Sequence, residues 1–237
     1  MTEAVGASGM MEIPLVFINV QRAGPSTGVP TKTEQGDLWQ ALGASQGDFE
    51  RFIVAPKDAL DAFRTIPELF NLVDKSQCPG IVITDLLISE GTFSVDPDDI
   101  DMHPSIDRGD VITEPRTDVS DLPTASPSKN GHGNGLVGAP SNGYLRYENT
   151  DSGISPRALP GLEGYVHVVA SDEHDEDGVL LSDEYTNPHK RRMMVEKRAR
   201  KFGNIADQIA PPGLEGAEDA EVTLIGWGST YGVIKEA

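Results

Sequence analysis

Cysteine is almost missing from this sequence: Cys78 is the only one in 237 residues. A lone thiol excludes an internal disulfide and any iron–sulfur cluster ligated by this chain alone, and it fits a reducing, cytoplasmic setting. Long apolar runs are missing too. No stretch approaches the roughly 20 residues that a membrane helix needs, and without a basic segment ahead of an apolar one the N-terminus is not expected to be a secretory signal. Basic residues are scarce, with Lys and Arg totalling 19 against 38 Asp and Glu, a formal charge of −19. Such a field repels nucleic acid and anionic membrane, so neither is expected as a partner. Because the acidity is spread along the chain, it fits a solvated surface, a salt-adapted one, or one that docks a basic partner. Hydrophobic residues make up 38%, low for a globular enzyme but not a disordered composition. The length suits one large domain or two small ones.

What is present reads first as α/β. Thr2 to Met11 is Gly-rich and small, suited to a short helix packed closely on a neighbour. Ile13 to Val20 is apolar on both faces, as in a parallel strand covered on both sides. Thr33 to Leu42 suits a helix with Thr33 as N-cap, and Phe52 to Ala55 a short strand ending at Pro56. Lys57 to Asp74 reads as an amphipathic helix with Leu60, Phe63 and Phe70 on its apolar face and a kink at Pro67. Pro79 to Ile88 reads as a second buried strand. This alternation implies a doubly wound parallel sheet. Residues 107–143 are rich in Pro, Gly, Ser and Asn and read as a flexible linker or insertion, with His132 as a solvated loop residue. Order is expected to return at Tyr144, in an ordered loop. Asn187-Pro188 supplies an N-cap and N1 proline for a basic helix running to about Phe202, which Gly203 can terminate. Residues 220–237 read as a strand, a Gly-rich turn and the first turn of a helix, and the whole reads as the middle of something longer.

The stretch Val20 to Leu38, VQRAGPSTGVPTKTEQGDL, carries the chemistry. In a parallel α/β sheet, ligands bind at the carboxyl ends of strands. Arg22 stands just past the first strand, and its planar fork matches a carboxylate. Gly24 and Gly28 permit close backbone approach, Pro25 and Pro30 stiffen the loop, and Ser26, Thr27 and Thr31 add hydroxyl donors. Two other readings stand beside anion recognition. One is a rigid strand-to-helix connection with a surface Arg. The other is a nucleotide-binding module over Gly24 to Thr33, although Thr31 precedes Lys32-Thr33 where a P-loop needs Gly, and the Gly24–Gly28 gap is one residue short.

Three further stretches are weaker candidates. SDEHDEDG, Ser171 to Gly178, gathers five carboxylates around His174 for a divalent cation, but lacks EF-hand spacing and reads better as a solvated acidic loop. IGWGSTYG resembles a phosphate turn, yet misses G-x-G-x-x-G and is equally a close strand–helix connection. HKRRMMVEKRARK suggests RNA, but on so acidic a chain it reads as a helix face pairing with acidic neighbours in the same complex.

Taken together, the motifs carry a resemblance. VQRAGPSTGVPTKTEQGDL closely resembles the corresponding loop of the 2-oxoacid:ferredoxin oxidoreductases, in the α subunit of the 2-oxoglutarate synthase type. GISPRALPG, DEHDEDG and MMVEKRARK look like the segment joining that subunit's two transketolase-like domains, and VTLIGWGSTYG like the opening of its second domain. The resemblance implies a pyrimidine-domain-type α/β fold over residues 1–106, an ordered interdomain segment at 144–219 and the start of a second, transketolase-C-like domain at 220–237; within the 107–143 linker it is weakest near 115–143, which looks like an insertion. It implies oxidative decarboxylation of a 2-oxoacid on thiamine diphosphate, with electrons passed to ferredoxin and the acyl group to coenzyme A. A partner β subunit would hold the diphosphate, Mg²⁺ and a 4Fe–4S cluster, in keeping with the single Cys. Arg22 would pair with the substrate carboxylate, and Ser26 and Thr27 would shape its pocket.

The chain also departs from the pattern. The family's Tyr-Pro-Ile-Thr type loop and the glutamate that activates the cofactor would lie before residue 1, and neither Glu12 nor Glu34 stands in the matching context. No catalytic residue is therefore expected within this chain, and the fragment alone is expected to be inactive. The alternative is a non-catalytic scaffold that docks on a partner subunit.

Overall fold

The computed structural model describes residues 1–116, 143–169, 171–178, 180, 187–203 and 205–237. Most of the expected 107–143 insertion, His132 included, lies outside them. A three-stranded parallel sheet is formed by β1 (Val16–Gln21), β2 (Phe52–Val54) and β3 (Gly80–Asp85), in the order β1-β3-β2. β1 pairs with β3 from Val16↔Gly80 to Gln21↔Asp85, and β2 with β3 from Phe52↔Gly80 to Val54↔Val82. All six residues of β3 are buried, which is why its run of Ile, Val and Thr carries no polar alternation.

Alternate side chains of these strands feed two cores. Ile81 and Ile83 pack with Val5 of α1 (Thr2–Met11) and Ala41 of α2 (Leu38–Leu42). Val82 and Phe52 pack on the opposite side with Leu69 and Val73 of α3 (Ala59–Ser76). Helices on both faces of a parallel sheet make the doubly wound α/β arrangement that the alternation predicts. The small residues of α1 do pack closely: Gly9 lies directly against the Phe49 ring.

Several boundaries differ from the sequence reading. β1 starts later, and it is not covered on both faces, since Ile18 is 60% exposed. The expected helix over 33–42 shrinks to α2, because residues 31–37 stay with the preceding loop. In α3 the buried stripe is Leu69 and Val73 with Ile66 and Leu72 against it, whereas Phe63 and Phe70 are exposed. Phe63 and Phe70 share a stripe with each other, but one residue is about 100° of rotation, and that stripe faces away from the sheet. The helix runs unbroken through Pro67. The expected strand over 79–88 ends at Asp85, whose side chain accepts from the Ile88 N–H at 3.2 Å and caps α4 (Leu86–Glu90). No strand forms in the 220s: Val222, Leu224 and Ile225 are exposed, with no neighbouring strand among the described residues to pair with.

Tyr147 is fully buried, and a short parallel pair joins β4 (Val111–Ile112) to β5 (Arg157–Ala158). The Lys190 N–H donates to the Asn187 side chain at 3.2 Å, capping α5 (Pro188–Gly203). A final helix, α6, spans Thr230–Glu236. No helix among the described residues is long and apolar enough to cross a membrane.

Candidate functional site

The loop after β1 is built at the carboxyl edge of the sheet. Phe17, Asn19 and Gln21 alternate onto the α2 side of β1, and the two amides organise the loop's return. Buried Gln21 donates from Nε2 to the Thr84 carbonyl at 3.3 Å and accepts from the Asp37 N–H at 3.1 Å. Asn19 donates to the Asp37 carboxylate at 2.9 Å. Both ends of the loop are thus fixed to strand ends. Between them, Ala23 and Val29 form an antiparallel bridge, with the Val29 N–H donating to the Ala23 carbonyl at 3.1 Å. Gly28 turns at φ 50°, and a Cβ there would run into the Ala23 carbonyl, so only glycine closes this turn.

Arg22 leaves the base of that bridge half-buried. No ion pair or hydrogen bond engages it among the described residues. Ser26 and Thr27 lie at the exposed tip of the same turn, Ser26 at φ 54°. They share a loop with Arg22 but no hydrogen bond with it among the described residues. The nucleotide reading loses its geometry here. Lys32-Thr33 sits in extended loop, ahead of the short α2 that begins at Leu38, so no helix N-terminus follows it to cradle a phosphate.

The acidic and basic stretches turn out to be partners of each other rather than sites. Glu173 pairs with Arg198 at 2.9 Å and Arg191 at 3.1 Å, and Asp175 with Lys190 at 2.8 Å. The loop is therefore paired rather than solvated, and the acidic neighbours of the basic helix lie in this same chain. His174 points inward, fully buried, with its ring centroid 3.9 Å from that of Tyr147, and burial pushes it below the usual His range. Among the described residues, no three or more His, Cys, Asp or Glu gather to hold a metal ion, and Cys78 is single and buried. One cysteine cannot by itself ligate a 4Fe–4S cluster.

Deeper in the same interface, Glu12 is fully buried at the left-handed end of α1, at φ 52°. Its carboxylate takes Lys197 Nζ at 2.7 Å and Lys201 Nζ at 2.6 Å, and its carbonyl takes Arg146 at 2.7 Å. Burial would raise the Glu12 carboxyl, but Lys201 and Lys197 overcome it and lower it to about 2. Burial, opposed by Glu12 and assisted by Lys201 and Arg146, lowers Lys197 to about 8 from its ordinary 10.5. Folded Lys197 therefore loses its proton before the unfolded chain does. Between about pH 8 and 10 the unfolded state binds more protons, so stability rises with pH there. Glu12 acts at the other end: its contribution is full above the ordinary 4.5 and is lost as pH falls towards 2. The urea midpoint is expected to climb from pH 8 upward, and Lys197→Met is expected to flatten the climb. An equally steep climb in the variant would remove Lys197 as its source.

The family model described as pyruvate flavodoxin/ferredoxin oxidoreductase, thiamine diphosphate-binding, matches residues 1–194. The chain is 34% identical over 243 residues to subunit alpha of 2-oxoacid:ferredoxin oxidoreductase 2 of Aeropyrum pernix, covering 100% of this chain and 33% of that one. It is 36% identical over 239 residues to the 2-oxoglutarate oxidoreductase subunit KorA of Mycobacterium tuberculosis, covering 100% of this chain and 32% of that one. The chain thus spans about a third of the length of these relatives. The solved 2-oxoglutarate:ferredoxin oxidoreductase of Magnetococcus marinus, with 2-oxoglutarate, coenzyme A and succinyl-CoA bound, superposes with a TM-score of 0.72 at 31% identity, covering 100% of this chain and 36% of that one. With its parallel α/β core and 194 matched residues, this chain belongs to the pyruvate flavodoxin/ferredoxin oxidoreductase family, in its thiamine diphosphate-binding part.

Proposed function

We propose that this chain is part of the α subunit of a 2-oxoacid:ferredoxin oxidoreductase, which converts a 2-oxoacid, 2-oxoglutarate or pyruvate, to acyl-CoA and passes the electrons to ferredoxin. The observation that carries this reading is Arg22: a half-buried guanidinium without a protein partner among the described residues, on a turn closed by Gly28 at the carboxyl edge of a parallel sheet. A guanidinium in that position is suited to a bidentate grip on a substrate carboxylate. Ser26 and Thr27 shape the same pocket from the loop tip. Residues 1–106 form the later part of the pyrimidine-binding domain, 107–143 an insertion, 144–219 an interdomain segment, and 220–237 the start of a second domain.

Thiamine diphosphate would supply the decarboxylation chemistry, and with its Mg²⁺ and the 4Fe–4S cluster it is assigned mainly to a partner β subunit. The buried carboxylates described here are already committed. Glu12 serves Lys197 and Lys201, Asp74 serves Arg108 and Arg157, and Asp85 serves Ser229 and the start of α4. The role proposed for this chain's own residues is substrate binding, through Arg22, Ser26 and Thr27. A cytoplasmic location fits the single reduced cysteine. The test is an assay of the complete subunit assembled with its β partner. Ferredoxin reduction that requires both a 2-oxoacid and coenzyme A is expected, and its absence would overturn the reading.

A further inference from the structure

Residues 22–36 carry the candidate substrate-binding Arg22, yet between its two fixed ends this loop has few attachments. Among the described residues it makes one side-chain hydrogen bond to another part of the fold: Gln35 Nε2 donates to the Trp227 carbonyl at 2.9 Å. That acceptor lies 192 residues further along the chain, in the Gly226–Ser229 turn.

The turn itself is firmly seated over the strand ends. The Trp227 side chain, like Ile53 and Ala55, packs against the α2-side core that contains Ala41. Its carbonyl also accepts from Thr230 Oγ1 at 2.7 Å. Ser229 donates its hydroxyl to Asp85, the last residue of β3 and the register partner of Gln21. Gly228 is buried at φ 59°, and a Cβ there would lie 2.9 Å from Gln35 Nε2. The left-handed backbone at 228 favours glycine, and a Cβ there would displace the Gln35 amide. The turn bonds to the loop after β1 through Gln35 and to the end of β3 through Asp85, and a Cβ added at Gly228 would come within 4 Å of Ala55 and Pro56, just past β2.

We propose that the Gly226–Ser229 turn is a latch for the Arg22 loop, with Gln35 and Ser229 as positioning residues that hold Arg22 at the carboxyl edge of the sheet for the 2-oxoacid carboxylate. The proposal rests on the reading of Arg22 given above. It links substrate affinity to the seating of the downstream segment that begins at the turn, because that seating sets where Gln35 is held. A bond that fixes a loop bearing a binding group is expected to change substrate binding more than the chemical step.

The experiment uses the complete enzyme assembled with its partner subunit, carrying Gln35→Leu, Gly228→Ala, Ser229→Ala or Ser229→Thr. Two readouts are taken: KM for 2-oxoacid and for coenzyme A, and amide hydrogen exchange over residues 22–36. Losing the Gln35 bond is expected to raise KM for 2-oxoacid about five- to ten-fold, with kcat and the coenzyme A KM unchanged. Exchange over 22–36 is expected to quicken, Gly228→Ala to behave like Gln35→Leu, and Ser229→Thr, which keeps the hydroxyl, to retain what Ser229→Ala loses. Unchanged exchange in Gln35→Leu would show that there is no latch. Faster exchange with an unchanged KM would show a latch that does not position Arg22, and an equal rise in both KM values would show a general packing defect; either overturns the proposal. The reading of Arg22 is checked separately by Arg22→Ala. If that variant keeps its 2-oxoacid KM, the carboxylate assignment fails, and the positioning role fails with it, whatever exchange reports about the tether.

Discussion

Glu12→Ala is expected to lower the stability of the complete subunit by about 3–5 kcal/mol, read from the denaturant midpoint, because it strips the one anion from a buried group of cations. Lys197 and Lys201 lie against its carboxylate, Arg146 holds its carbonyl, and both lysines are essentially inaccessible to water. A loss of that size is a large share of the roughly 5–15 kcal/mol that holds a domain together. The cluster holds three cations to one carboxylate, so its two sides are not equivalent. Lys197→Met removes an excess buried charge while Lys201 still answers Glu12, and should cost much less. In the Glu12→Ala background the same Lys197→Met is expected to restore part of the lost stability. The two substitutions should therefore be non-additive, as residues sharing a partner are. A Glu12→Ala loss below about 1 kcal/mol, or strictly additive behaviour, would mean that water reaches the cluster and that the ion pairs do not hold α5.

Neither partner of this cluster is legible in the sequence as a pair, because Glu12 and Lys197 are 185 residues apart. The sheet was legible, since its strands are apolar runs broken by Gly and Pro, and such runs specify burial locally. The stripe of α3 was misread because Phe63 and Phe70 are large and apolar, while the smaller Val73 and Leu69 are the ones aimed at β3. The strand expected in the 220s had the right composition, but a strand needs a neighbour, and composition does not supply one. In the site, Arg22 stood out by its type and its place after a strand. The residues that build its loop did not. Asn19 and Gln21 left a signal nonetheless: two amides at i and i+2 closing an otherwise apolar strand, both directed to Asp37. Gln35 and Ser229 left none, because their partners, a backbone carbonyl and a strand-end carboxylate, come together only in the fold.

Arg22→Ala is expected to lower kcat/KM for the 2-oxoacid by about 30- to several thousand-fold in the assembled enzyme, the equivalent of about 2–5 kcal/mol for losing a desolvated charge contact. The loss should not appear as instability. Arg22 makes no ion pair or hydrogen bond among the described residues, whereas the loop's shape depends on Gln21, Asp37 and the Ala23–Val29 bridge. An unchanged thermal midpoint therefore separates a binding role from a structural one. Arg22→Lys sharpens the argument, because it keeps the charge and gives up the planar fork. If the carboxylate is held by two parallel N–H donors, the lysine variant should fall between wild type and Arg22→Ala. If charge alone matters, lysine should restore nearly all the activity. Wild-type kinetics in Arg22→Ala would remove the substrate role altogether and leave a surface arginine on a rigid turn. The outcome also bears on Ser26 and Thr27, whose only link to the pocket is the loop they share with Arg22: the role proposed for them stands or falls with the position of that guanidinium.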